Sequence, residues 1–546
     1  MNGLEYVARI LKQEGVESMP CFPSNPLIEE AAKVGIRPIA FRHERGAVMA
    51  ADGFSRTSNR KQFGVVAVQS QAGAENSMGG LSQAYADGIP ILVLPGGLRL
   101  SQIAVRPNFS ASVNYRGIVK SVEAIYAPDQ VGNVMRRAFH ALRNGPPGPV
   151  VVELTGDVCG QDVPEDALNY HSPRTSLHQP SSGDIKDAVK ALLAASNPVI
   201  WAGRGVLFSD ATDELRTLAE LTGIPVFCTM PGKSALDERH PLALGAGSGS
   251  TTQPAFEWLK NSDVLLALGA SLTRTFYAQP IRGEKTLIQN SIESGDINKE
   301  ENVDIGLIGD TKLTLEAIID EVKAQVGEGG TGDAKAVAAE IAAVRETWMK
   351  EWTPLLTSDK EPLNTYRVIH EINETLDQDN SIVTHDAGAP RDSIVPFYTA
   401  TTPHSYIGWG KTTHLGFGIP LMIGAKMAHP DRFCLNLMGD GAFGMSGLDI
   451  ETSSRCGIPI TTVLLNNGGM STYPPGNFPT AREQFDVSHM QGDYAMIAEG
   501  MGAVGLRVKK VGEMRPALEE AQRLNADGKT VLIDVLSDME GKRSRF

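Results

Sequence analysis

Residues 439–469 read GDGAFGMSGLDIETSSRCGIPITTVLLNNGG. An apolar run, Phe433–Leu437, leads into this stretch, and a second run, Thr461–Leu465, follows a helical length and delivers Asn466-Asn467-Gly468-Gly469. A strand–helix–strand unit of this length makes two parallel strands whose carboxyl ends share one edge of a sheet, the edge at which α/β folds bind ligands. Asp440 and Asn467, 27 residues apart, are therefore expected to meet there. Glycines at a strand end let backbone N–H groups approach a diphosphate closely. A carboxylate and a carboxamide beside such a phosphate form the oxygen-rich set that Mg²⁺ takes, with a backbone carbonyl just past Asn467 to complete it. Either glycine-containing turn on its own could simply close a strand. Their joint occurrence at one strand–helix–strand spacing points to metal and phosphate.

The same alternation runs through the chain. Phe63–Val68, Ile91–Leu94, Val150–Glu153, Pro198–Ala202, Val264–Leu268, Ser381–Thr384 and Val531–Val535 are short apolar runs separated by helical lengths. That pattern predicts an α/β protein with parallel sheets buried on both faces and flanked by helices. A chain of 546 residues is too long for one core. Two polar or glycine-rich breaks, His171–Gly183 and Val326–Asp333, divide it into three domains, placed at 1–172, 184–328 and 357–546. With 42% hydrophobic residues, 21% charged residues and a net charge of −14, the composition argues against nucleic acid as a partner and for a small-molecule substrate. Met1–Gly15 reads as an amphipathic helix rather than a signal peptide, and no apolar run approaches the roughly 20 residues of a membrane span. Five scattered cysteines without a CxxC pair suit a cytoplasmic protein in which each is a small core residue.

The GDG…NN pair resembles the thiamine-diphosphate signature of the superfamily that includes acetohydroxyacid synthase, pyruvate decarboxylase and oxalyl-CoA decarboxylase. The likeness extends over essentially the whole chain. It implies a pyrimidine-binding domain, a Rossmann-like middle domain and a diphosphate-binding domain, with thiamine diphosphate and Mg²⁺ as cofactors. Carried over by position, Asp440, the Asn467 side chain and the Gly469 carbonyl would be the metal ligands. Gly388 and Ala389 in the HDAGAPRD turn would contact the diphosphate together with Gly439 and Ala442, and Gly441, Phe443, Met470 and Gly73 would complete the cofactor pocket.

Two further stretches carry the resemblance. Phe41–Ala47 (FRHERGA) followed by Ala50–Arg56 (AADGFSR) resembles the family segment whose glutamate hydrogen-bonds the pyrimidine ring, which makes Glu44 the catalytic candidate. A carboxylic acid is needed there because the aminopyrimidine must be shifted between tautomers by proton transfer. Without the companion motif, Glu44 would read equally well as a carboxylate at a helix N-terminus. In Gly408–Gly418 (GWGKTTHLGFG), Leu415 falls where the family places an apolar wedge beneath the bent cofactor, and the Thr413 carbonyl would accept from the 4′-amino group.

Substrate identity must come from the departures. Phe109-Ser110-Ala111 and Thr155-Gly156-Asp157 stand where acetohydroxyacid synthases usually carry Phe-Gln-Glu and Pro-Lys-Asp, and Met470–Pro475 replaces their tryptophan-bearing segment. Ser24, Asn25 and Glu75 add polar groups near the expected substrate, or serve as turn residues. The turns Ala202–Gly205 and Gly269–Arg274 could admit ADP or the ADP part of coenzyme A, and Gly269-Ala270-Ser271-Leu272 looks closest to the 2-hydroxyacyl-CoA lyase branch. The preferred expectation is thus a carbon–carbon lyase that cleaves a 2-hydroxyacyl-CoA to formyl-CoA and an aldehyde or ketone, or decarboxylates a related acyl-CoA. The alternatives are a 2-oxo-acid decarboxylase or acetolactate-synthase-like carboligase, and a catalytically silent binding subunit. In relatives the site lies between subunits, which implies a homodimer or homotetramer. The cationic tail Gly541–Phe546 reads as a solvated terminus, with folding over the entrance toward coenzyme A phosphates as the second reading.

Overall fold

The computed structural model describes the chain apart from residues 60, 104, 276, 332–333 and 471–476. Each of the three domains contains a six-stranded sheet in which every paired strand is parallel. The first is built from β1 (Ser18–Cys21), β2 (Arg37–Ala40), β3 (Gly64–Val68), β4 (Ile91–Pro95), β5 (Ser121–Ala124) and β6 (Val150–Glu153), in the order β2-β1-β3-β4-β6-β5. The second comprises β7 (Pro198–Ala202), β8 (Val226–Thr229), β9 (Ala243–Gly247), β10 (Val264–Leu268), β11 (Thr286–Ser291) and β12 (Ile305–Ile308), in the order β12-β11-β10-β7-β8-β9. The third holds β13 (Ser381–His385), β14 (Tyr406–Ile407), β15 (Phe433–Gly439), β16 (Thr461–Asn466), β17 (Val504–Val508) and β18 (Val531–Leu536), in the order β14-β13-β15-β16-β18-β17.

The outer two domains thus repeat one topology, whereas the middle one has the Rossmann order. In such sheets ligands sit where the strand order reverses. In the C-terminal domain that point lies between β13 and β15, flanked by the Gly388 and Gly439 turns. In the middle domain it lies between β7 and β10, flanked by the Gly203 and Gly269 turns.

The outer domains share one hydrophobic cluster, to which the helices Glu44–Thr57 and Gly418–Ala428 contribute Val48, Ala51, Leu421 and Ala425. These helices touch backbone to backbone. A Cβ added at Gly53 would fall 2.8 Å from the Leu421 carbonyl carbon, and one at Gly424 would fall 2.8 Å from that of Ala50. The five cysteines are free, and burial pushes the thiols of Cys21, Cys159, Cys228 and Cys434 up to about 12, as inert core residues require. No helix among the described residues is long and apolar enough to cross a membrane.

The carboxyl-terminal tail is docked on the fold through Ser544, although Gly541, Lys542, Arg545 and Phe546 stay exposed. Ser544, 1% exposed, donates through Oγ to the Thr251 carbonyl at 2.6 Å and accepts there from Trp348 Nε1 at 3.1 Å, while its carbonyl accepts from Thr251 N at 2.9 Å. Phe546 stacks on Phe256 with ring centroids 5.1 Å apart. The tail cations are engaged as well, Lys542 with Glu351 and Arg545 with Asp392, each at 2.8 Å. These partners are remote in sequence, so the short polar tail gave no local sign of them.

Candidate active site

Register places the two glycine turns of the opening stretch side by side, because β15 and β16 pair in parallel with Gly439 opposite Leu465. Asp440 follows immediately and is buried at the start of the helix Asp440–Ser446. Its Oδ1 accepts from Gly441 N at 2.8 Å and its Oδ2 from Gly468 N at 2.9 Å, so one carboxylate joins both turns. Asn467 Oδ1 accepts from Gly469 N at 3.2 Å. Burial pushes the Asp440 carboxyl above its ordinary range, and the backbone N–H groups around it pull the other way. Each carboxylate oxygen keeps a second lone pair, so Asp440 fits a divalent cation, whose charge would offset the desolvation.

The facing wall is the turn after β13. Gly388 has φ +84° and begins the helix Ala389–Ile394, a left-handed position suited to glycine. A Cβ built on Gly439 would come into ordinary contact with Pro390 Cγ at 3.9 Å, so the two turns face each other with nothing but a methyl-sized gap beside the Gly439 backbone. The Met470 sulfur lies over Gly441, where an added Cβ would come within 2.6 Å of it. Ala442 is buried. Phe443 turns toward the core, edge-on to Tyr494 at 5.2 Å. Of the stretch after the asparagine pair, residues 471–475 lie outside the described residues.

Asp386 is a residue the sequence reading passed over. Wholly buried, it accepts from Ala387 N at 2.7 Å, Gly416 N at 3.0 Å and Gly418 N at 2.9 Å, and its own N–H donates to the Leu437 carbonyl at 2.7 Å. It ties the Gly388 turn to the Leu415 turn. Burial raises its carboxyl pKa against those three N–H donors. Its only sequence signal was its position within the HDAG turn.

Glu44 opens the helix Glu44–Thr57 and is 2% exposed. Asn76 Nδ2 donates to its Oε2 at 3.1 Å, and its Oε1 lies over Gly73, where a Cβ would stand 2.7 Å away. Gly73 therefore makes room for the carboxylate, and Asn76, unremarked in the sequence, orients it. Arg45 donates to the Leu415 carbonyl, and Asp449 accepts from Arg42 N at 3.3 Å. Within one chain the Glu44 end of the helix is thereby brought against the Leu415 turn. Leu415 is half-buried against the shared core, and Thr413 has φ +51°.

Other polar candidates have structural work. Asn25 Nδ2 donates to the carbonyls of Val68 and Leu94, both at 2.9 Å, and its Oδ1 accepts from Leu27 N at 3.0 Å, so it clamps strand ends. Ser24 and Glu75 are exposed. Ser110 Oγ donates to Glu153 at 2.9 Å, and Ala111 N donates to the same carboxylate at 3.3 Å. In the middle domain a cleft of about 820 Å³ lies beside the glycine turns, with Arg204 and Lys411 on its walls. The glycines themselves pack on one another, since a Cβ at Gly205 would meet Gly269 Cα at 2.5 Å.

Comparisons with known proteins agree with this architecture. Residues 1–114, 185–318 and 386–535 match, in turn, the N-terminal TPP binding domain, the central domain and the C-terminal TPP binding domain of thiamine pyrophosphate enzymes. The chain is 30% identical to a probable acetolactate synthase large subunit of Methanococcus aeolicus, over 96% of this chain and 90% of that one. It is 30% identical to an acetolactate synthase of Mycobacterium bovis, covering 96% and 86% of the two chains. It is 27% identical to the acetolactate synthase isozyme 3 large subunit of Escherichia coli, covering 98% and 95%. Those names do not support the expectation of a 2-hydroxyacyl-CoA lyase. The chain belongs to the thiamine pyrophosphate enzyme superfamily of the acetohydroxyacid synthase type and is a thiamine-pyrophosphate-dependent enzyme.

Proposed function

We propose that the chain acts on 2-oxo acids, as a decarboxylase or an acetolactate-synthase-like carboligase that joins the fragment left after loss of CO₂ to a second carbonyl compound. The observation that carries this reading is the end-to-end similarity to proteins named acetolactate synthase. Engagement of the tail cations within the fold removes one argument for an acyl-CoA substrate.

In this reading Asp440, Asn467 and the Gly469 carbonyl hold Mg²⁺, and the backbone at Gly388, Ala389, Gly439 and Ala442 holds the diphosphate. Gly441, Met470, Gly73, Thr413 and Leu415 shape the rest of the pocket, and Phe443 supports its wall from the core side. When bound, thiamine diphosphate supplies a carbon acid and an electron sink for breaking a bond beside a carbonyl carbon. Glu44 moves a proton to and from the pyrimidine ring; Asn76 fixes one carboxylate oxygen and leaves the other, over Gly73, to carry that proton. Glu153 takes up Ser110 and Ala111, so the acceptor side differs from that of acetohydroxyacid synthases, which usually carry Gln-Glu there. The middle-domain cleft is the proposed seat of an ADP-containing ligand, with Arg204 and Lys411 facing it. The functional unit is a homodimer or larger: Met445, Leu448, Phe485, Val487 and Met496 leave large apolar side chains exposed on the cofactor-binding domain, as a surface awaiting a partner does.

The test is to supply Mg²⁺, thiamine diphosphate and a panel of 2-oxo acids and 2-hydroxyacyl-CoA thioesters, following CO₂ and products by mass spectrometry. CO₂ release from a 2-oxo acid supports the reading. Formyl-CoA from a thioester, with no CO₂ from any 2-oxo acid, overturns it.

A further inference from the structure

Residues 410–415 link the middle-domain cleft to the cofactor pocket, and they end in the Thr413 carbonyl and Leu415 assigned above. Thr413, with φ +51°, lies in the left-handed region, which a β-branched residue occupies only when its surroundings impose it. The imposing groups belong to another domain. Gln83 and Asp87 sit one turn apart on the helix Ala72–Asp87 and are buried. Gln83 Oε1 accepts from Thr412 Oγ1 at 3.0 Å and from His414 N at 3.3 Å, so a single oxygen grips the residues on both sides of Thr413. Asp87 accepts from Gly410 N and Lys411 N, each at 3.2 Å, and is itself paired with Arg56 at 2.8 Å. Gln83 Nε2 donates to Asp87 Oδ2 at 2.8 Å. That bond fixes which end of the amide faces the turn, because the carboxylate can only accept.

We propose that Gln83 is a positioning residue: with Asp87 it holds the 410–415 turn so that the Thr413 carbonyl faces the pyrimidine of the cofactor. A side chain of the N-terminal domain thereby sets the geometry of a pocket in the C-terminal domain of the same chain. The inference rests on the cofactor reading of Thr413 given above. Without the Gln83 oxygen, the Thr412 hydroxyl and the His414 N–H lose this acceptor, and Thr413 is free to relax to negative φ and swing its carbonyl away.

The experiment compares the full-length wild type, Gln83→Met and Gln83→Met/Thr413→Gly. Methionine keeps the length of the side chain without the amide, and glycine adopts positive φ without strain. Hydrogen exchange over 410–416 without cofactor reads the brace, and calorimetry with Mg²⁺ and thiamine diphosphate reads its consequence. Gln83→Met should exchange faster across 410–416 and bind thiamine diphosphate roughly tenfold more weakly, the size of an ordinary lost hydrogen bond. Adding Thr413→Gly should restore most of that affinity while exchange stays fast, a rescue that a general packing defect would not show. If Gln83→Met does not fold, Thr412→Val removes one of the two bonds and should give a smaller loss in the same direction. Wild-type affinity in the single variants, or a loss that Thr413→Gly leaves unrepaired, overturns the inference. If the wild type binds no thiamine diphosphate, the cofactor reading falls and takes the inference with it, whereas the exchange data still report whether the brace exists.

Discussion

Gly53→Ala perturbs the contact on which the placement of Glu44 depends. The added Cβ would overlap the Leu421 carbonyl oxygen and stand 2.8 Å from its carbon, against about 3.5 Å for comfortable non-bonded carbons, so the helices must part by at least about 0.7 Å. Neither surface can yield by a rotamer change, because both are helical backbone. Overpacking of this kind costs about 1–3 kcal/mol. Parting the helices also carries Glu44 and Arg45 away from the Leu415 turn, and a displacement approaching 1 Å at a catalytic group costs on the order of 10²-fold in rate. Thermal or denaturant midpoints and turnover are measured side by side, with Gly500→Ala as control. Gly500 is exposed, and an added Cβ there meets nothing within 4 Å, so alanine should be neutral or stabilising by up to about 1 kcal/mol. A Gly53→Ala protein with wild-type midpoint and turnover refutes the backbone contact and the argument built on it.

Glu44→Gln should keep the fold and cofactor binding while losing about 10²–10⁴-fold in turnover; near-normal turnover removes Glu44 from the mechanism. Asp449 gives a pH signature, because burial raises its carboxyl from 3.8 to about 7. The native state then holds the extra proton, so this contribution to stability is full below about pH 4 and is lost as pH rises toward 7. Asp449→Asn should flatten the stability profile over that window and stabilise the protein at pH 8 by about 1 kcal/mol or more, and denaturant titrations that superimpose on wild type would count against it. Deleting Gly541–Phe546 should lower the melting temperature, since it removes the buried Ser544 bonds and the Phe546 stack, whereas Arg545→Ala alone should cost no more than about 1 kcal/mol because that arginine is half exposed. A melting curve left unchanged by the deletion would assign the tail no structural role.

What the sequence revealed was local. Asp440 and Asn467 were legible because one strand–helix–strand unit fixes their spacing, and the structure joins their turns through a single carboxylate. β6, β7 and β10 matched their apolar runs residue for residue, since runs buried on both faces leave little ambiguity. β1, β2 and β9 carry proline, arginine or glycine and gave no such run. Polar residues were harder, because their work depends on distant partners. Asn25, readable from sequence either as a substrate group or as a turn residue, clamps strand ends, whereas Gln83 and Asp87 gave no sign that they grip a turn more than 300 residues away. The middle-domain glycines read as room for a nucleotide, yet they serve the mutual approach of two turns, with the cleft beside them.

In the proposed reading Asp440 anchors thiamine diphosphate through a divalent cation. Equilibrium binding of thiamine diphosphate to wild type and Asp440→Ala, each with Mg²⁺ and with EDTA, tests it most directly. One cofactor should bind per chain of the wild type with Mg²⁺, and binding should be lost both on chelation and in the variant. Undiminished binding by Asp440→Ala, or by the wild type in EDTA, would contradict it.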